Sequence, residues 1–193
     1  MDTQVSIAFE RALSLLAPSG ACVQEIALSE LLELSQLNNK GGLAPPEAYA
    51  LLREWITQHA HAYDPRVRSS HSSRPRSKTP RATLNCNERA WASSRVSAAV
   101  AQFDALLMPT TPSVALRLAK LVDDAAYSRM NLLALRNPSI SNSSTAARSH
   151  LPCHDLGRLP VGLTIAGLHG ADRQRLSIAA AIEKILPVSP RTC

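Results

Sequence analysis

The chain has 193 residues, 45% of them hydrophobic and only 4% aromatic, so it can build a core, and that core must be aliphatic. Its net charge of +6 suggests an anionic partner, but Arg66, Arg68, Arg74, Arg76, Lys78 and Arg81 carry all of that excess and the rest of the chain is neutral. No apolar run is long enough to cross a bilayer, and Met1-Asp2-Thr3-Gln4 is not the start of a signal peptide, so a cytoplasmic chain without a membrane partner is expected.

Residues 4–17 read as an amphipathic helix, with Val5, Ala8/Phe9, Ala12 and Leu15/Leu16 at three- and four-residue spacing and Pro18-Ser19-Gly20 as its stop. Ala21–Ala27 is an apolar run after a glycine turn and reads as a strand. Ser29 is placed to cap a short helix over 30–37. Pro45-Pro46-Glu47 opens a further helix, whose stripe is Ala48, Leu51, Leu52, Trp55 and His59. His59 and His61 have no nucleophile near them in sequence and read as helix-end surface groups or satisfied, partly buried imidazoles.

Residues 66–88 are rich in Ser, Arg and Pro and read as an atypical, basic, linker-like segment. A nucleic-acid arm interleaves aromatics or glycines with its cations, and 66–81 contain neither, so nucleic acid is not the expected partner. Helical periodicity returns over 90–103 with Trp91, Val96, Val100 and Phe103. Asp104–Met108 reads as a buried strand, and Thr110-Thr111-Pro112 as the loop at its end, where open α/β sheets place ligands. Residues 123–135 read as a helix that Asn137-Pro138 ends. Residues 143–150 form a second atypical, polar segment. Pro160–Gly167 alternates Val161, Leu163 and Ile165 as a core strand does. Asp172 is placed to cap a last helix bearing Leu176, Ala179/Ala180, Ile182/Glu183 and Leu186.

Cys22, Cys86, Cys153 and Cys193 lie far apart and are expected to be reduced thiols. Cys153-His154 is the one close thiol–imidazole pair, and no spaced partners complete a metal site. Neither a metal nor another cofactor is expected.

Four blocks then carry a resemblance. They are Ala8-Phe9-Glu10 with Gly20-Ala21, Glu25, Gly41-Gly42 and Glu47-Ala48-Tyr49; Tyr63-Asp64-Pro65-Arg66-Val67; Asp104-Ala105-Leu106-Leu107-Met108-Pro109-Thr110-Thr111-Pro112; and Leu159-Pro160-Val161-Gly162-Leu163 with Gly167 and Asp172. In this order they resemble the C-terminal half of the amidase signature family, and bacterial stand-alone amidases in particular. The resemblance implies an α/β fold, helices on a mixed sheet of which residues 1–193 form the incomplete C-terminal part. It also implies hydrolysis of carbon–nitrogen amide bonds by a Ser–Ser–Lys triad.

In that family the Lys and the Gly/Ser-rich loop lie upstream of anything matched here, and no substitute is visible. Gly41-Gly42 has no adjacent Ser, Ser72-Ser73 lacks glycine neighbours, and Lys40, Lys78, Lys120 and Lys184 stand in unrelated contexts. No catalytic residue is therefore carried over. Thr110 and Pro112 are the candidates for the edge of a substrate pocket. The two atypical segments keep their length but lose the family's residues, and codons regrouped by one base can restore family-like runs. The expectation is thus a truncated or frame-disrupted, inactive fragment. It would meet a small amide substrate only with its missing half supplied, and it would associate through an uncovered apolar face. The competing expectation is a basic-armed nucleic-acid-binding or interaction protein.

Overall fold

The computed structural model describes residues 1–29, 44–66, 94–143 and 147–186. The proposed helix over 30–37, Gly41-Gly42 and nearly all of the basic segment 66–88 lie outside them.

Helix α1 (Thr3–Leu16) starts where the Asp2 carboxylate accepts the Gln4 N–H at 2.8 Å. It ends in a 3₁₀ turn (Ala17–Ser19) and Gly20, whose φ of 93° is left-handed. Val5, Ala8, Ala12 and Leu16 are buried, as the spacing predicts. Ala21–Ala27 is not a strand: residues 21–28 have no regular structure and are mostly exposed. The segment pairs with neither outer edge of the sheet, β1 or β2.

Helix α2 (Ala44–Gln58) follows, and residues 94–100 are helical with Val96 and Val100 buried. Strand β1 is Leu106–Pro109, two residues later than the sequence suggests. Helix α3 (Asp124–Ser143) runs through Pro138 instead of stopping there. The proline removes one backbone hydrogen bond. The residue before it is held from outside the helix, since Asn137 Nδ2 donates to the Pro109 carbonyl at 2.8 Å.

Strand β2 (Ala147–Pro152) is formed largely by the end of the atypical polar segment. Strand β3 is Gly162–Gly167, and helix α4 is Asp172–Ile185. Asp172 does not cap α4; Ala171 takes that place without a side-chain bond, and Asp172 sits in the first turn, where its charge suits the positive helix end.

The sheet order is β1-β3-β2, with both pairs antiparallel. The expected mixed sheet is thus, among the described residues, a small antiparallel one: α3 carries the chain from β1 across to β2, and β3 returns between them antiparallel to both. One face of β3 carries Leu163 and Ile165, both fully buried. They pack with α1 and α4 through Val5, Ala8, Leu16, Ala179, Ile182 and Leu186. Each such large aliphatic side chain contributes about 1.5–3 kcal/mol on burial. The other face carries Thr164 and Ala166.

Candidate functional site

The sequence points to the end of β1, and the structure builds a polar junction there. Thr110 N donates to the Gly162 carbonyl at 2.8 Å, which extends the β1–β3 pairing past Pro109. The Thr110 and Thr164 hydroxyls share a hydrogen bond at 3.0 Å, and Thr164 Oγ1 lies 2.9 Å from His150 Nδ1. The residue after β1, one from within β3 and one from within β2 thus join a Thr–Thr–His chain across the sheet. Register explains it: His150 faces Thr164, and residues facing each other across a ladder point to the same side.

Thr164 is only 2% exposed, so its hydroxyl needs these partners. Burial, and secondarily the Arg148 charge, lower the His150 pKa from its ordinary value, so the imidazole is neutral near pH 7. A neutral imidazole next to a hydroxyl can pass or accept a proton, but no nucleophile with a second activating group completes a triad among these three residues.

Glycine at 162 is required by packing. A Cβ there would lie 2.6 Å from Thr110 Oγ1 and 3.1 Å from Thr110 Cβ. The loop beyond is tied to the N-terminus: Asp2 N donates to the Pro112 carbonyl at 2.8 Å, and Gln4 Nε2 donates to the Leu159 carbonyl at 3.1 Å. An Arg11–Asp155 ion pair adds a further link between α1 and the loop before β3. Of the two pocket-edge candidates, Thr110 is half-buried at the junction and Pro112 is fully buried beneath it.

Cys153 and His154 do not form a reactive pair. Cys153 is 3% exposed within the aliphatic core, and burial raises its pKa to about 11, so the thiol stays protonated. Its backbone N–H donates to the Val161 carbonyl at 2.9 Å. Cys22 and Cys153 are free thiols. Among the described residues no His, Cys, Asp or Glu cluster could hold a metal ion. The His59 ring lies tilted against Trp55 at 4.5 Å between ring centres, a partly buried imidazole at the end of α2.

Arg66 is the one described member of the basic run, and it is engaged locally. Its Nε donates to Asp124 at 2.7 Å, and its guanidinium lies 4.9 Å from the Tyr127 ring centre. The Asp64 carboxylate accepts the Arg66 N–H at 2.8 Å, so the Tyr63–Arg66 block ends in a side-chain turn that presents Arg66 to α3.

The sequence reading missed Thr164, His150 and Arg175. Alternation in Leu163-Thr164-Ile165 marks Thr164 as the residue turned away from the core. Arg175 lies four residues before Ala179, on the buried stripe, whereas Leu176 is 65% exposed. The expected stripe therefore holds at Ala179, Ile182 and Leu186 and fails only at its first member, where Arg175 takes the place of Leu176.

No protein-family model matches the chain. In sequence it is 30% identical over 191 residues to 2-amino-5-chloromuconic acid deaminase of Comamonas testosteroni, covering 96% of this chain and 40% of that protein. It is 36% identical over 92 residues to mandelamide hydrolase of Pseudomonas putida, covering 46% of this chain and 17% of that protein. In structure it superposes on the allophanate hydrolase of Kluyveromyces lactis with a TM-score of 0.80 at 20% identity, covering 99% of this chain and 31% of that one.

Its homologues and structural neighbours are amidase-signature proteins. The chain spans at most 40% of the length of these three relatives. The blocks Asp104–Pro112 and Leu159–Leu163 that carry the resemblance, far apart in sequence, are neighbours in space: they supply β1, the start of β3 and the Thr110–Gly162 contact. No helix among the described residues is long and apolar enough to cross a membrane.

Proposed function

We propose that the chain serves amidase-type hydrolysis of a carbon–nitrogen bond by forming the sheet-end portion of an amidase-signature unit, not the portion that bears the nucleophile. The observation that carries this is the convergence of the amidase-signature blocks on one junction, where Thr110 contacts Gly162 and Pro112 is tied to Asp2. Thr110 borders the substrate side of that junction, with Pro112 buried beneath it as its support, and a small amide is the substrate class. The catalytic residues are none of those described. The Cys153 thiol is protonated and His150 is hydrogen-bonded to the Thr164 hydroxyl, which supports a chain inactive by itself. The exposed apolar side chains of α2 and α3, Leu51, Trp55 and Leu132, support association with the remainder of such a unit. The local engagement of Arg66 by Asp124 and Tyr127 supports a partner set without nucleic acid.

Ammonia release from a panel of aryl and alkyl primary amides tests this. The chain alone is expected to give background rates. Adding a separately expressed amidase-signature segment that carries the Lys and the Gly/Ser-rich loop is expected to give turnover. Turnover by the chain alone, stopped by a serine-directed reagent, would refute the proposal.

A further inference from the structure

The most unusual charged group lies at the other end of the sheet, about 14 Å from Thr110 along β1. Arg175, on the buried stripe of α4, is 3% exposed, and its Nε and Nη1 are buried with no hydrogen-bond partner. Its guanidinium lies directly on Gly167, where any Cβ would collide with Arg175 Nε. The glycine thus makes room for the arginine against the backbone of β3. An ionised group with unmet donors, removed from water, is costly unless an anion meets it.

Beside it is a cavity of about 180 Å³. Its wall is Val100, Phe103, Ala105 and Leu106, with Asp104 and Gln174 also lining it. Gln174 and Asp104 are exposed, so the cavity opens to solvent on that side. Asp104 makes no ion pair with Arg175.

We infer that Arg175 and this cavity form a binding site for a short-chain carboxylate. A carboxylate supplies acceptors for the orphan guanidinium N–H groups, and its charge offsets that of the arginine. A short alkyl tail fills the space against Val100, Phe103 and Leu106, which an inorganic anion would leave empty. The site is separate from the Thr110 junction and does not rest on the amide-hydrolysis reading.

Titration calorimetry of the full chain with sodium butyrate tests it, with sodium chloride and sodium sulfate at matched ionic strength and 1-butanol as controls. Butyrate is expected to bind saturably with a stoichiometry of one. Butanol and the inorganic salts are expected to bind at least about tenfold more weakly, because each lacks one half of the match. Arg175→Met keeps the stem volume and is expected to abolish butyrate binding while the thermal melt stays cooperative. If that variant does not fold, Leu168→Glu at the exposed rim answers the same question: it is expected to block butyrate, whereas Leu168→Gln leaves it. Asp104→Asn is expected to tighten binding by removing a like charge. Absence of butyrate binding, equal binding of sulfate, or retention in Arg175→Met or Leu168→Glu overturns the inference. Weaker binding in Asp104→Asn, with a lowered melting temperature, also overturns it, because Asp104 would then be the counter-ion.

Discussion

Two regions of this chain treat apolar residues in opposite ways. Where α1, the three strands and α4 meet, Val5, Leu16, Leu163 and Ile165 are almost wholly buried. On α2 and α3 and in the segment between β1 and α3, Leu51 is 83%, Trp55 52%, Leu118 84% and Leu132 67% exposed. Helices α1 and α2 both carry an apolar stripe. The difference lies in whether a sheet face lies opposite. Leu163 and Ile165 give α1 and α4 a surface to cover, while no described strand backs Leu51 and Trp55. Amphipathicity states that a helix has something to bury; only the rest of the fold states where.

Ile165→Ala is the strongest test of that contrast. Ile165 has no exposed surface and lies at the centre of the cluster joining α1, β3 and α4. Its truncation should cost about 2–5 kcal/mol in urea unfolding, from lost transfer energy plus the cavity left behind. A loss under about 1 kcal/mol would mean that the cluster is not the stabilising centre.

Gly162→Ala acts at the junction, not the core. The new Cβ meets Thr110 Oγ1 at 2.6 Å, so the β1–β3 end must spread. The expected cost is about 1–3 kcal/mol, as for overpacking of a well-filled site. Thr110→Ala in the same chain removes the clashing oxygen and should recover part of that loss. Full additivity of the two single effects would show that the contact is not the cause.

Much of the packed region was legible in the sequence because its signals were local. The α1 stripe, its Pro-Ser-Gly stop and the Val161/Leu163/Ile165 alternation all correspond to the elements found. The misses arise where the outcome depends on distant residues. Ala21–Ala27 has strand composition but joins neither outer edge of the sheet. Ala147–His150 looks polar, yet β3 recruits it as a strand because Ala147, Ser149 and Leu151 alternate to one side. Pro138 stays inside α3 while Asn137 is held by Pro109. At the site, Thr110 was visible as a strand-end residue, but its partners Thr164 and His150 are fixed by register. Arg175 was hidden because a charged residue on an apolar stripe reads as the edge of the stripe.

The His150 bond also separates the junction from the exposed stripe of α2, by a smaller effect. Burial lowers the His150 pKa from 6.5, so the folded chain takes up its proton at lower pH than the unfolded chain does. Between those two values the unfolded chain binds more protons, so stability falls as pH drops below about 6.5 and levels off once the folded form is also protonated. His150→Gln should flatten this part of the profile in urea melts taken from pH 7.5 to pH 5. An unchanged slope would assign the pH dependence to other groups.

The smallest effect on stability is expected on the exposed stripe of α2, and it sharpens the comparison most. Leu51 and Trp55 lie on one stripe of α2, and Trp55 meets only the His59 and Tyr63 rings among the aromatic contacts described. Replacing Leu51 with Gln removes little buried area, so unfolding should shift by no more than about 0.5 kcal/mol. Its effect should appear in association instead. If these side chains await the rest of an amidase-signature unit, the isolated chain self-associates through them, and Leu51→Gln with Trp55→Gln moves its light-scattering mass toward that of the monomer. A double variant that loses several kcal/mol, with its mass unchanged, would mean that α2 is packed as firmly as α1, and the contrast between the two regions would fail.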